Sequence, residues 1–142
     1  MHKILFICHG NICRSPMAEF VMKDMVKKAG IADRFFIDSA ATSREEIGNA
    51  IYPPAQRELA RHGIIHASHR ARQITREDLT DYDRIYYMDS LNARNLHRLF
   101  PDYDRFLPFL PYDVADPWYS GDFTQTWQDI EAGCRRILEE FL

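Results

Sequence analysis

Cysteine is scarce in this chain. Only Cys8, Cys13 and Cys134 occur among 142 residues. A small, odd number of cysteines does not make the disulfide framework of a small secreted domain. No cluster of cysteine and histidine has the spacing of a zinc site, so the pattern predicts no structural metal.

Long apolar runs and an excess of basic charge are also missing. No stretch approaches the roughly 20 apolar residues of a membrane helix, and the N-terminal run is too short for a signal peptide. We therefore expect a cytoplasmic protein that makes no membrane contact. Eighteen Lys and Arg against 21 Asp and Glu give a net charge of -3, which argues against a nucleic-acid partner. The length suits one domain over residues 1–142.

Apolar stretches alternate between two periodicities along the chain. Continuous apolar runs predict strands at residues 4–7, 35–39, 84–88 and 105–107. Helical spacing predicts helices at residues 16–29, 53–62, 90–99 and 123–141. This alternation is typical of an α/β fold, with a parallel sheet covered by helices on both faces. Cys8, Ser39, Asp89 and the loop at 108–121 each follow a predicted strand, so we expect them to meet at one rim of the sheet.

The segment from Cys8 to Ser15, Cys-His-Gly-Asn-Ile-Cys-Arg-Ser, carries the chemistry. It joins a buried strand to a helix N-terminus, where backbone N–H groups lack partners and the dipole is positive. We therefore predict a nest of amides that binds an anion, with Gly10 and Asn11 tolerating left-handed backbone. Such a nest favours a thiolate at Cys8. Arg14 can hold two phosphate oxygens at once.

Blander interpretations exist for these residues. Cys8 could be a buried structural thiol and Arg14 a surface side chain. Their spacing, followed at once by Ser15 and a proline-led helix, favours a phosphoryl-transfer site instead. Ser15 could cap the helix, with Pro16 at its first position, or donate a hydrogen bond to the sulfur of Cys8. The sequence leaves both roles of Ser15 open.

The run from Cys8 to Pro16 resembles the signature of the low-molecular-weight protein tyrosine phosphatases. Further similar segments occur in the family's order, at residues 37–43, 69–75, 88–92 and 116–119. The resemblance implies a four-stranded parallel sheet, no metal and no cofactor. It also implies a phosphocysteine intermediate on Cys8 and a phosphotyrosine-containing protein as substrate. We expect a monomer, and a tyrosine kinase is one candidate partner.

The resemblance also implies roles for individual residues. Arg14 and the loop residues would bind phosphate, these being His9, Gly10, Asn11, Ile12, Cys13 and Ser15. Asp116 would protonate the leaving oxygen and then activate water; Asp113 is its rival in the same loop. Ser39 and His69 would brace Asn11 beneath the loop. Asp89 is a second brace member or simply a helix cap.

Some positions depart from the family's pattern. His9 stands where an aliphatic residue is common, and Glu45 stands where the family has an aromatic wall residue. Trp118 and Tyr119 keep an aromatic wall. We expect the negative charge of Glu45 to weaken the preference for acidic phosphopeptides. Related phosphoarginine phosphatases carry Thr where this chain has Ile12, so Ile12 favours phosphotyrosine.

Two other functions compete with a phosphatase. An arsenate reductase of the same fold needs further cysteines near residues 85–99, and there are none. A module that binds phosphorylated ligands without turnover would not need both Cys8 and Asp116.

Cys13 could form a protective disulfide with Cys8 or be a packed thiol. Cys134 lies on an apolar stripe and is expected in the core.

Overall fold

A four-stranded parallel sheet forms the centre of the molecule. The computed structural model describes all residues 1–142. The strands are β1 (His2–Cys8), β2 (Phe35–Ala41), β3 (Arg84–Tyr87) and β4 (Phe106–Pro108). They lie in the order β2-β1-β3-β4 and every adjacent pair is parallel. All four strands predicted from apolar runs are present.

Helices connect the strands. The α-helices are α1 (Arg14–Lys28), α2 (Pro53–Arg61), α3 (Asp78–Asp81), α4 (Ser90–Leu99), α5 (Pro117–Ser120) and α6 (Phe123–Glu139). A short 3-10 helix covers Ala32–Arg34. The four long helices match the predicted ones, whereas α3 and α5 were not predicted, because a single turn shows no periodicity. None of the helices combines the length and apolarity needed to cross a bilayer.

The two faces of β1 bury different parts of the core. Ile4 and Phe6 pack in a large cluster with residues of α1, α2 and α6. Leu5 and Ile7 point the other way, into a smaller cluster with residues of α3 and α4. A strand buried on both faces has no polar side to show, which explains its unbroken apolar run. The predicted α/β sheet with helices on both faces is confirmed.

The start of α1 differs from the prediction. The helix begins at Arg14, with Cys13 in the cap position and no side-chain cap. Ser15 and Pro16 are therefore its second and third residues, so the predicted Ser15 cap and the first-position Pro16 were wrong. Pro16 is still tolerated, because N–H groups of the first turn have no partner inside the helix. The hydroxyl of Ser15 lies instead beside the sulfur of Cys8.

Candidate active site

The phosphate loop, residues 8–15, curls around the sulfur of Cys8. The backbone N–H groups of Asn11 and Ser15 point at Sγ over 3.3 and 3.4 Å. The hydroxyl of Ser15 lies 3.0 Å from the same atom. Two backbone donors and one hydroxyl thus surround the buried sulfur. This arrangement is the nest that the sequence predicts.

Asn11 holds the tightest turn of the loop. Its φ of 61° makes it the chain's one residue other than glycine in the left-handed region. Its side-chain amide donates to Ser15 Oγ (2.8 Å) and Ser39 Oγ (2.9 Å) and accepts from the N–H of Arg72 (3.1 Å). Nε2 of His69 lies 2.8 Å from the carbonyl oxygen of Asn11. Ser39 and His69 therefore stand where the predicted brace requires them.

A second layer supports this brace, and the sequence did not reveal it. Ser39 Oγ donates to buried Glu19 over 2.6 Å, and Lys23 pairs with the other oxygen of Glu19. Glu19 is the one charged residue in the otherwise apolar run Met17–Met22 on α1, and that interruption was the available signal. Arg72 donates its main-chain N–H to the side chain of Asn11. Because any residue but proline could donate this bond, the sequence carries no signal for it.

Arg14 lies almost entirely buried, with 2% of its surface exposed. Nη1 donates to Asp89 Oδ2 and to the carbonyl of Val114, both over 2.7 Å. Burial alone would lower the pKa of Arg14, but anionic Cys8, Asp116 and Asp89 together raise it above its ordinary value. The guanidinium thus stays charged. Its Nε and Nη2 edge, the fork that suits two phosphate oxygens, remains free of Asp89.

Asp89 caps α4, one of the two roles that the sequence left open, and it holds Arg14 instead of joining the brace around Asn11. One carboxylate oxygen accepts from the backbone N–H of Asn92 over 2.7 Å, and the Asn92 side chain accepts from the N–H of Asp89. This reciprocal pair caps α4. The other oxygen of Asp89 holds Arg14. The cap therefore fixes the carboxylate that orients the guanidinium.

Asp116 and Asp113 have different surroundings. Asp116 caps α5, with Oδ1 accepting from the N–H of Trp118 (3.0 Å) and Oδ2 lying 3.4 Å from Nη2 of Arg14. Asp113 accepts instead from the N–H and hydroxyl of Ser90 (3.1 and 3.0 Å). Only Asp116 lines the cleft above Cys8. This geometry supports Asp116 over its rival.

The cleft opens beyond the carboxyl ends of β1 and its neighbours, as expected for a parallel sheet. Its lining consists of loop, acidic and aromatic residues: Cys8, His9, Gly10, Ile12, Cys13, Arg14, Glu45, Glu46, Asp116, Trp118 and Tyr119. Five other predicted site residues lie outside this lining, behind the loop or beside Arg14: Asn11, Ser15, Ser39, His69 and Asp89. Glu46 was not predicted, and its Cγ lies close enough to Gly10 to crowd any side chain there.

Known proteins are similar to this chain in sequence and in fold. A family model described as "Low molecular weight phosphotyrosine protein phosphatase" matches residues 3–141. The chain belongs to this family. The resemblance inferred from its motifs is therefore confirmed, and the protein is a phosphatase.

Relatives of this phosphatase cover almost its whole length. The low molecular weight protein-tyrosine-phosphatase YfkJ of Bacillus subtilis is 37% identical, over 97% of this chain and 94% of its own. The human low molecular weight phosphotyrosine protein phosphatase is 40% identical, over 96% and 94%. The crystal structure of the Streptococcus pyogenes enzyme SP-PTP superimposes with a TM-score of 0.93 at 40% identity, covering 100% of this chain and 94% of that one. A Drosophila arginine phosphatase matches at 28% identity with a TM-score of 0.89, covering 98% and 97%.

The two walls of the phosphatase cleft differ in character. One wall is aromatic: Trp118 is half exposed and packs against Tyr52 at 4.7 Å between ring centroids, while Tyr119 is almost fully exposed. The other wall is acidic, where Glu45 Oε2 lies 2.9 Å from Nε2 of His9. The predicted wall residues Glu45, Trp118 and Tyr119 thus all border the cleft.

The other two thiols of the phosphatase are buried and free. Burial, reinforced by the charges of Cys8 and Asp116, raises the pKa of the Cys13 thiol, so it stays neutral. Burial likewise raises the pKa of Cys134, which packs in the large core cluster as predicted. Cys8 and Cys13 both border the cleft. A reversible disulfide between them stays a prediction.

Proposed function

We propose that this phosphatase hydrolyses phosphotyrosine in proteins through a phosphocysteine intermediate on Cys8. One observation carries the proposal: Cys8, Arg14 and Asp116 all line one cleft, and Oδ2 of Asp116 lies 3.4 Å from Nη2 of Arg14. A nucleophile, an anion clamp and a proton donor are the three parts that phosphate ester cleavage needs. The names of the relatives point to the same substrate class.

The first step transfers the phosphoryl group to sulfur. The thiolate of Cys8 attacks phosphorus in line, and an S–P bond forms as the P–O bond to tyrosine breaks. Asp116, in its protonated form, gives its proton to the departing phenolic oxygen. Arg14 and the N–H groups of the loop stabilise the charge on the three equatorial oxygens.

The second step returns the enzyme to its starting state. The carboxylate of Asp116 takes a proton from water, whose oxygen attacks phosphorus on the side that tyrosine has left. The S–P bond breaks, and inorganic phosphate departs. Cys8 leaves as a thiolate, and the hydroxyl of Ser15, 3.0 Å from its sulfur, stabilises that charge.

The cleft walls support phosphotyrosine as the substrate. Trp118 offers an aromatic surface for the phenol ring, and half-buried Tyr52 supports it from behind. Ile12 presents an apolar side chain at the base, with no hydroxyl to bind a guanidine nitrogen. Phosphoarginine, the substrate class named for the Drosophila neighbour, would thus find fewer polar partners here.

The structure supports neither alternative chemistry. Arsenate reduction would need a thiol relay, but Cys134 is fully buried on α6 and α4 has no cysteine. A binding module would not need a carboxylate held toward the phosphate clamp, as Asp116 is.

We further propose that the substrates include a tyrosine kinase, and that the enzyme acts as a cytoplasmic monomer that binds neither nucleic acid nor membrane.

The test compares substrates and leaving groups. Phosphotyrosine, phosphoserine and phosphoarginine peptides of one sequence are assayed beside p-nitrophenyl phosphate. We expect phosphotyrosine to be hydrolysed fastest, and Cys8→Ser to abolish all turnover. Asp116→Asn should slow phosphotyrosine hydrolysis by about 10²–10⁴-fold. It should slow p-nitrophenyl phosphate less, because that leaving group is less basic.

Asp113→Asn is the matched control, since it removes the neighbouring carboxylate that Ser90 binds. It should retain near-normal turnover of both substrates. Residual turnover in Cys8→Ser, or a larger loss in Asp113→Asn than in Asp116→Asn, would contradict the proposed mechanism.

A further inference from the structure

The cleft has a positive charge at its base and negative charges at its rim. Arg14 is the one permanent cation of the lining, and it lies at the base with 2% exposure. Three carboxylates, those of Glu45, Glu46 and Asp116, border the space above it. We infer that this phosphatase prefers phosphotyrosine flanked by arginine or lysine, and that Glu45 determines this preference. The inference rests on the proposed function.

A bound phosphate leaves the rim negative. Arg14 already pairs with Asp89 and lies beside Asp116. Once the phosphate dianion is bound, the base of the cleft therefore has no unbalanced positive charge. A peptide chain that leaves the cleft then meets the carboxylates of Glu45 and Glu46, which attract cations and repel acidic side chains.

Glu45 is the carboxylate best placed to meet the peptide. Its side chain is 67% exposed, and only Oε2 has a partner, Nε2 of His9. Glu46 is half-buried against Gly10, and Asn49 donates to its Oε2 over 2.6 Å. Glu45 therefore keeps one oxygen free for a substrate cation, whereas Glu46 contributes mainly background charge.

Neither neighbouring arginine forms an ion pair with the acidic wall. Nε of Arg44 donates to Gln73 over 3.0 Å, and Nη1 of Arg70 donates to the carbonyl of Gly48 over 3.0 Å. Neither arginine lines the cleft. Across the cleft, the exposed ring of Tyr119 offers a face on which a guanidinium can stack. Both walls therefore suit a basic residue next to the phosphotyrosine.

Three phosphotyrosine peptides test the inference, identical except for arginine, glutamine or glutamate on both sides of the phosphotyrosine. We expect kcat/KM to fall in that order, by about two- to fivefold per charge at low ionic strength. Added salt should narrow the spread, meaning the difference in kcat/KM between the arginine and glutamate peptides, because salt screens exposed charges. Glu45→Gln should shrink the spread and Glu45→Lys should reverse it. Because p-nitrophenyl phosphate has no flanking residues, the kcat/KM of each peptide is expressed relative to it for each variant, which removes any general effect of the substitution on turnover.

Asp102→Asn is the matched control. It removes one exposed carboxylate beyond the C-terminal end of α4, the end opposite to the cap residue Asp89 that holds Arg14. It should leave the spread intact. Equal kcat/KM for the three peptides, an undiminished spread in Glu45→Gln, or an equal narrowing in Asp102→Asn would each overturn the role of Glu45. The proposed function would survive those results. In this experiment, the proposed function fails if the wild-type enzyme hydrolyses none of the three phosphotyrosine peptides.

Discussion

Asn11 combines a strained backbone with a side chain that makes three hydrogen bonds. Its left-handed φ suits glycine better, whereas its bonds to Ser15, Ser39 and Arg72 require the amide. Asparagine is the residue type that meets both demands, because it tolerates the left-handed region better than most. The shape of the anion nest therefore depends on one side chain.

Two substitutions at this position separate the two demands. Asn11→Gly keeps the permitted backbone but loses the amide, and we expect a loss of about 2–3 kcal/mol in the free energy of unfolding, roughly one for each hydrogen bond. Asn11→Ala adds backbone strain and should lose about 0.5–1 kcal/mol more, after allowance for the larger unfolded-state entropy of glycine. Urea denaturation measures both. If Asn11→Ala were the more stable variant by about 0.4–1 kcal/mol, the entropy difference alone would explain it, and the left-handed backbone would not be strained.

The three thiols should differ in reactivity. Burial raises the pKa of Cys13 and of Cys134, so at neutral pH these thiols remain protonated and unreactive. Cys8, surrounded by donors, should be the one that iodoacetamide alkylates, and inorganic phosphate should protect it. Peptide mapping by mass spectrometry locates the label. All three should react in urea, and labelling of native Cys13 as fast as Cys8 would refute this expectation.

At the scale of elements, α6 contains a glycine inside a buried contact. A Cβ on Gly133 would stand 2.1 Å from Cε2 of Phe109, which packs edge-on against Phe6 of β1. The close approach of α6 to the end of β4 therefore depends on the missing side chain. Periodicity predicted α6 but could not reveal this contact, because the partner lies in a distant loop.

Gly133→Ala should destabilise the protein although alanine favours helix. The gain in helix propensity is at most about 1 kcal/mol, whereas overpacking a core costs about 1–3 kcal/mol and occasionally more. We expect a net loss of about 1–2 kcal/mol, measured by thermal or urea unfolding. Ala132→Gly, at the exposed neighbouring position, should lose about 1 kcal/mol from propensity alone. If Phe109→Leu fails to reduce the effect of Gly133→Ala, the clash is not its cause.

Elements with a strong local pattern were predictable and the others were not. β1 and α6 show clear periodicity, and both appeared as expected. The beginning of α1 was misplaced, because Ser15 has the chemistry of a cap but its hydroxyl lies beside Cys8. A residue with two possible hydrogen-bonding partners cannot be assigned from local sequence alone.

At the scale of the whole molecule, the sheet topology gathers the site. Cys8, Asp89 and Asp116 lie far apart in sequence but follow parallel strands, so their meeting at one rim was predictable. The contact of Glu19 with Ser39 and that of the Arg72 main chain with Asn11 were not, because they depend on how α1 and the segment after α2 dock. Ser39 and His69, which brace the phosphate loop, were predicted through the family resemblance, whereas Glu19 and the main chain of Arg72, which support that brace, were not.

Stability of the whole fold should fall in alkaline solution. Burial raises the pKa of Cys13, Cys134, Tyr82 and Tyr86, so the folded protein keeps these protons. The unfolded chain loses them near its ordinary values, at about pH 8.5 for the thiols and about pH 10 for the phenols. Because the unfolded state then binds fewer protons, the free energy of unfolding decreases as pH rises above about 8.5.

The contribution of one such proton can be measured at Cys134, because its side chain is fully buried in the core. Cys134→Ala and Cys134→Ser both remove the titrating group, one leaving a cavity and the other keeping the size. In urea unfolding above about pH 9, each variant should lose stability with pH less steeply than the wild type, by up to about 1.4 kcal/mol per pH unit. The cavity in Cys134→Ala and the hydroxyl in Cys134→Ser change the free energy of unfolding by the same amount at every pH. The slope of that free energy against pH therefore reports only the loss of the Cys134 proton. Parallel slopes for all three proteins would mean that burial of Cys134 does not hold its proton.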